Sequence, residues 1–283
     1  MKIALALFLL WPAHALGWFD AGHMASSWIT WQELTPTAKE KVQEYLSVLK
    51  DAEPETEDFV IASTWLDNIK NSGLKVTLYW HTISRDQAIN GLAKRPEKQN
   101  GVWIVQEAIE TLENPKASRF ARAFMLRALI HVVQDLHQPL HICDDNKEGR
   151  LEAARCYKNF PIKPFRYGKE SLTNLHDFWD AVGSASPTIR YSDRDALKTT
   201  ELYAKALLER VNKHSLPPLA TRDPMIWVRE SEQLLSTFAV QGITPNNHLP
   251  EQYMARGQVV AEQRLVTAAY RLAGLLNQIF SQP

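Results

Sequence analysis

The stretch "SRFARAFMLRALIHVVQDLH", residues 118–137, constrains the fold more than any other. It is long enough for about five helical turns, and so apolar that such a helix belongs in an interior. Yet it carries His131 and Asp135, four residues apart and so on one helical face. Buried ionisable groups are costly unless they pair or bind a metal. Any fold of this chain must therefore bring partners to that face.

A second pair has the same spacing: His176 and Asp180 in "NLHDFWD", residues 174–180. Other ionisable residues sit among apolar neighbours. Asp67 lies in "ASTWLD", His81 ends "YWH", His141 follows "QPL", and His23 closes "WFDAGH". Taken singly, each reads as a satisfied polar residue. Taken together, five histidines and three aspartates spread through apolar helices have the donor chemistry of a metal cluster. Zinc and similar ions take imidazole nitrogen and carboxylate oxygen at about 2 Å.

The chain has 283 residues and balances 32 basic against 32 acidic side chains. That balance argues against a protein that coats nucleic acid through a basic surface. Residues 1–17 read as a secretory signal peptide. Lys2 precedes the apolar run "IALALFLL", and Ala15 and Gly17 supply the small residues for cleavage after Gly17. A secreted or periplasmic protein follows, with no membrane anchor after processing and a mature domain over 18–283. The absence of an Asn-x-Ser/Thr acceptor is neutral, and fits a bacterial periplasm or medium. The only cysteines, Cys143 and Cys156, then lie in an oxidising compartment, where a disulfide closing a short loop is expected. Two free thiols are the alternative.

The remaining chain reads as helical, in one all-α domain. Helices are expected over 34–46, with Thr35 as N-cap and Pro36 at the first helical position, and over 57–70 and 101–114. More are expected near 173–182, 193–213, 224–238 and 250–280. "KVTLYWHTI", residues 75–83, carries the best strand signal, and residues 143–170 read as a long loop. His214 and His248 stand in polar segments and read as surface residues, and the tryptophans read as core.

On "WFDAGH", "ASTWLD", "YWH", "HVVQDLHQPLH" and "NLHDFWD", in that order, the chain resembles the S1/P1 nuclease family of secreted zinc-dependent nucleases. The resemblance implies a single, mainly helical domain of the S1/P1 nuclease or zinc phospholipase C type, with a trinuclear zinc cluster. It implies one Zn2+ held by Asp67, His81, His131 and Asp135, and a second by His141, His176 and Asp180. The third would be held by the amine and carbonyl of Trp18, by His23 and by Asp135 as a bridge. A free α-amine titrates near about 8 and yields its proton to a metal readily. His137 falls outside this set, as a helix-end residue. Asp67 and Lys70 are the candidate catalytic residues. Lys70 would stabilise transition-state charge, against the alternative of an ordinary solvated lysine.

The implied reaction is hydrolysis of single-stranded DNA and RNA to 5′-phosphorylated products, with 3′-mononucleotides as further substrates. Two alternatives stand beside it: a zinc phospholipase C, whose family ends the ligand set with Glu where this chain has Asp180, and a non-catalytic periplasmic zinc-binding protein. The chain departs from the family's pattern after His141, where an Asp-x-Gly-Gly-Asn segment is usual. The segment here carries Lys147, Arg150, Arg155, Lys158, Lys163, Arg166 and Lys169. It reads either as a basic lip for substrate or as a solvated loop.

Overall fold

The computed structural model describes residues 18–90, 99–143 and 156–281. The expected leader over 1–17 and its cleavage point after Gly17 lie outside the described residues, as do Asp144, Asp145, Lys147, Arg150 and Arg155 of the charged segment.

The described chain is mainly helical. Its helices are α1 (Asp20–Glu33), α2 (Pro36–Leu46), α3 (Phe59–Ala62), α4 (Trp65–Asn71), α5 (Arg85–Asn90) and α6 (Gly101–Glu113), followed by α7 (Arg119–Asp135), α8 (Leu175–Asp180), α9 (Ala196–Arg210), α10 (Pro224–Leu234) and α11 (Glu251–Ile279). Two small sheets complete it. Strand β1 (Ile83–Ser84) pairs in parallel with β2 (Ile142–Cys143), and β3 (Pro161–Tyr167) pairs antiparallel with β4 (Glu170–Asn174). No described helix is long and apolar enough to cross a membrane.

Local chemistry sets the helix starts. The Thr35 hydroxyl accepts from the Ala38 amide, with Pro36 in the first turn. Ser118 caps α7 through Ala121, Asn100 caps α6 through Trp103, and Asn174 caps α8 through Asp177. The region expected as one helix over 57–70 is instead two. The Ser63 hydroxyl bonds the Val60 carbonyl and Thr64 bonds that of Ile61, so side chains take over carbonyls that a continuous helix would use.

Helix α7 is the centre of the fold. It packs against α6, α2, α11 and α4, and Leu126, Leu129, Ile130, Val132 and Val133 are fully buried. Each such side chain contributes about 1.5–3 kcal/mol on removal from water. Arg127, on the same helix, is also buried. Its guanidinium is satisfied by the carbonyls of Leu46, Thr56 and Ala123 and by the Thr56 hydroxyl. Gly101 lets α6 begin tight against the end of α7. A Cβ there would lie 2.8 Å from the Leu136 Cδ2 and 2.9 Å from the Trp80 carbonyl oxygen.

Three expectations are corrected. The segment expected as a strand over 75–83 is a 3-10 helix over Lys75–His81, followed by the two-residue β1. Its β-branched and aromatic residues mimic a strand, but Thr77 and Trp80 are buried at a spacing of three, the period of that helix. The segment expected as a loop over 143–170 contains most of a hairpin, β3–β4, which runs on to Asn174. A hairpin with mixed polarity on both faces leaves little alternation to read. Helix α1 was not expected at all. It is buried nearly all round, by α11, α9 and α3, so it has no single apolar stripe.

Truncating Leu126 to Ala is expected to lower unfolding free energy by about 2–5 kcal/mol, read from denaturant midpoints.

Candidate metal centre

Six elements carry the ionisable residues to one place. α1 supplies His23, α4 supplies Asp67, the 3-10 helix supplies His81, α7 supplies His131 and Asp135, and α8 supplies His176 and Asp180. His141 stands in a short 3-10 turn, Pro139–His141, immediately before β2. The β1–β2 pair thus joins the segments that carry His81 and His141.

Asp135 is the hub. Its Oδ2 lies 2.8 Å from His81 Nδ1 and 3.1 Å from His131 Nε2. Its Oδ1 lies 3.5 Å from His23 Nε2 and 3.8 Å from His141 Nδ1. Asp67 Oδ1 stands 3.6 Å from His81 and 3.8 Å from His131. On the far side, His176 Nε2 is 3.2 Å from Asp180 Oδ2, and His141 Nε2 is 4.0 Å from Asp180 Oδ1. Three groups could each hold an ion: His23, His131 and Asp135; Asp67, His81 and His131; and His141, His176 and Asp180. His131 belongs to two of them, a sharing the sequence reading did not foresee.

The histidines are held from behind. His131 Nδ1–H donates to the Ser63 carbonyl at 2.6 Å, and His141 Nδ1–H to the His81 carbonyl at 2.7 Å. His176 Nδ1–H donates to the Cys156 carbonyl, and His23 Nδ1–H to Gln134 Oε1 at 3.0 Å. Each contact leaves Nε2 with a lone pair, the tautomer a metal ligand needs. The split between α3 and α4 thus has a use, because it aims the Ser63 carbonyl at His131.

Electrostatics agrees. Burial lowers the His23 imidazole to about 4, with neighbouring His131 adding to the effect. Burial also holds His81 and His141 well below the usual imidazole range, aided by Lys70 and His176 respectively, and it lowers His131. These rings are therefore neutral at pH 7. Burial drives Asp135 well above the ordinary carboxylate range and raises Asp180. Burial opposes ionisation of Asp67 too, but the Lys70 ammonium and nearby imidazoles outweigh it and hold that carboxylate well below its usual value.

The donor set fits metal. His23 Nε2, His81 Nε2, His141 Nε2, His176 Nε2, Asp135 Oδ1 and Asp180 Oδ2 are buried without a hydrogen-bond partner. Each orphaned atom would cost about 1–3 kcal/mol if left alone. Nitrogen and oxygen donors converging on common points suit zinc or a similar divalent ion.

The other singled-out residues also have their places. The Trp18 ring is fully buried and donates Nε1–H to the Gln134 carbonyl at 3.0 Å, one residue from Asp135. Phe19 N–H donates to the Asp180 carbonyl at 3.0 Å, so the first described residues cross between the two sides of the centre. Lys70 is buried and hydrogen-bonded to Asp67, which removes the solvated-lysine alternative. His137 faces away. Its Nδ1–H bonds the Val133 carbonyl, and its Nε2 accepts from Arg271 at 2.9 Å, within a network with Glu230. His214 and His248 are exposed.

Cys143 and Cys156 form a disulfide. It fastens the residue after the His141–Ile142 pair to the residue whose carbonyl holds His176. Of the basic residues in that segment, Lys158 lies 3.5 Å from Asp177 Oδ1 instead of standing free. Sequence reasoning missed Gln134 and Gln138. Gln138 Nε2–H donates to Asp180 Oδ1 at 2.7 Å, while Gln134 anchors both His23 and Ser27. Both stand in "HVVQDLHQ", beside the ligand candidates, where an amide in an apolar helix was itself a signal.

A family model described as S1/P1 Nuclease matches residues 18–281. Nuclease S1 of Aspergillus oryzae (strain ATCC 42149 / RIB 40) is 30% identical over 187 residues, 61% of this chain and 59% of that protein. Endonuclease 3 of Arabidopsis thaliana is 33% identical over 164 residues, 55% of this chain and 51% of its own length. Those matches span little more than half of the relatives. Endonuclease 2 of Arabidopsis thaliana is 24% identical over 311 aligned positions, 99% of this chain and 98% of the relative. The chain belongs to the S1/P1 nuclease family.

Two outcomes are expected. Asp135→Asn should lower bound metal by more than one ion per chain, and His176→Gln by about one, read by elemental analysis, because Asp135 touches two of the groups. Replacing both cysteines by Ser should cost about 3 kcal/mol in stability and weaken metal retention by the His176 group, measured by chelator competition.

Proposed function

We propose that this member of the S1/P1 nuclease family is an exported nuclease that cuts the phosphodiester bonds of single-stranded DNA and RNA, leaving 5′-phosphorylated products. It also removes phosphate from 3′-mononucleotides. The observation that carries this reading is the convergence of the buried His and Asp groups on Asp135, with their orphaned nitrogen and oxygen atoms.

In this reading three zinc ions are held by the chain's own residues. Asp67, His81, His131 and Asp135 hold the first, and His141, His176 and Asp180 the second. The Trp18 amine and carbonyl, His23 and Asp135 hold the third. Bound metal supplies Lewis-acid polarisation of the phosphoryl group and a water nucleophile at neutral pH. The remaining work falls to the protein. Carbonyls behind His131, His141 and His176 fix the imidazole tautomers. Lys70 Nζ donates to Asp67 Oδ1, which keeps that carboxylate ionised and able to orient the attacking water. The other ammonium protons of Lys70 are available to the phosphoryl oxygens, whose charge grows in the transition state. Single strands are favoured because a stacked duplex hides its bases from a pocket.

The mature domain is residues 18–283, released by cleavage after Gly17, in a secreted or periplasmic setting. The leader composition and the Cys143–Cys156 disulfide support that placement. Cleavage creates the Trp18 amine, so an unprocessed chain should carry one zinc fewer.

The test is elemental analysis of the processed protein beside assays on single-stranded DNA, RNA and phosphatidylcholine. About three zinc ions per chain and hydrolysis of the nucleic acids are expected. Hydrolysis of the lipid alone would replace this reading with a phospholipase C, and metal without any hydrolysis would leave a zinc-binding protein. Lys70→Ala should lower kcat by about 10²–10³-fold with metal content retained.

A further inference from the structure

Three imidazoles of the centre are held from behind by main-chain carbonyls. His131, His141 and His176 donate Nδ1–H to those of Ser63, His81 and Cys156. His23 is different. Its Nδ1 faces a side chain, Gln134 Oε1, at 3.0 Å. A main-chain carbonyl is always an acceptor, whereas an amide has an accepting end and a donating end. Whatever orients the Gln134 amide therefore decides the His23 tautomer.

The surroundings of Gln134 leave one orientation. Its Nε2 lies 3.0 Å from the Ile130 carbonyl oxygen and 2.7 Å from the Ser27 hydroxyl. The carbonyl only accepts, so the nitrogen stands there and the amide oxygen faces His23. That oxygen also only accepts, so His23 carries its proton on Nδ1. Its Nε2 then turns a lone pair toward Asp135 Oδ1, 3.5 Å away, and both atoms are buried without a hydrogen-bond partner. Gln134 and Ser27 are fully buried, which shields these contacts from solvent.

The same residue grips the start of the described chain. The Gln134 carbonyl lies in the last turn of α7, where main-chain acceptors have no partner further along the helix. It accepts the Trp18 Nε1–H at 3.0 Å, as well as the His137 N–H. Gln134 thus holds Trp18 by its carbonyl, His23 by its amide oxygen and Ser27 by its amide nitrogen. It also directly precedes Asp135 in the chain. Trp18, His23 and Asp135 are the ligands assigned above to the third ion, and Gln134 touches or adjoins all of them.

We infer that Gln134 is the positioning residue of the third metal position. Its amide sets the tautomer and aim of His23, and its carbonyl seats the Trp18 ring. Retention of this ion therefore depends on one side chain, where the imidazoles of His131, His141 and His176 depend on main chain. The third position is the one that a substitution outside the ligand set loosens selectively. The inference deepens the three-zinc reading above and rests on it.

The experiment compares the processed, zinc-loaded protein with its Gln134→Met and Gln134→Glu variants. Methionine keeps the length of the side chain and removes all its polar contacts. Glutamate keeps an acceptor for His23 and removes the donors to Ser27 and Ile130. Zinc is counted by elemental analysis after dialysis against graded chelator, and the imidazole Nδ1–H protons are followed by NMR. In Gln134→Met the affinity for one zinc should fall about 10–100-fold, with the others held as before. The His23 proton should be lost, while those of His131, His141 and His176 remain. Gln134→Glu should keep both the His23 proton and the full zinc content. Adding Gln134→Met to His23→Ala should loosen that zinc no further, because both changes act through one imidazole. Full zinc retention in Gln134→Met would overturn the inference. Equal loss in Gln134→Glu would overturn it as well, because the contacts to Ser27 and Ile130 would then be responsible. Should Gln134→Met not fold, Gln134→Glu decides alone, by keeping that zinc or losing it. A parent protein that lacks the third zinc would strike the three-zinc reading instead, and selective loss of the His23 proton in Gln134→Met would still uphold the role of the amide.

Discussion

The structure depends on one buried carboxylate. Asp135 sits fully buried near the end of α7 with imidazoles of His23, His81, His131 and His141 all within 4 Å. A carboxylate in an apolar interior is unstable as an anion, and neutral imidazoles alone do not neutralise it. Divalent ions would supply the missing charge and satisfy the orphaned nitrogens together. The polypeptide organises itself around that requirement. Five chain segments besides α7 turn inward to bring a His or Asp to this centre, and hydrogen bonds that leave a lone pair free fix their imidazoles.

Those fixing contacts come from structure that would otherwise pass as irregular. The break between α3 and α4 aims the Ser63 carbonyl at His131. The 3-10 helix ahead of β1 presents His81 and lends its carbonyl to His141. The disulfide brings Cys156 to where its carbonyl holds His176. Irregular backbone is where main-chain acceptors are not consumed by helix or sheet, so it is the natural source of acceptors behind metal-binding imidazoles. His137 shows the contrast. It stands in the same sequence run, yet its nitrogens are spent on Val133 and Arg271, and it serves the contact between α7 and α11.

Lys70 and the cavity beside Asp67 extend the centre in two directions. Lys70 gives a buried positive charge beside Asp67. The cavity gives ring faces, amides and mostly acidic charged side chains.

Much of this was legible in the sequence, for a physical reason. His131 with Asp135, and His176 with Asp180, are local pairs. Helix geometry alone puts i and i+4 on one face, and apolar neighbours reveal that the face is buried. Capping residues such as Thr35 and Ser118 act over three residues, so they too could be read directly. Tertiary structure decided what depends on distant partners. Examples are the sharing of His131 between two groups, the grip of Gln134 on His23 across 111 residues, and the hairpin within the expected loop. The cavity belongs with them, walled by α1, α4 and the chain near residue 190. Sequence fixes which atoms can bind and the faces on which neighbours must lie. Only folding decides which remote carbonyl, amide or ring stands behind them, because those contacts have no period to read.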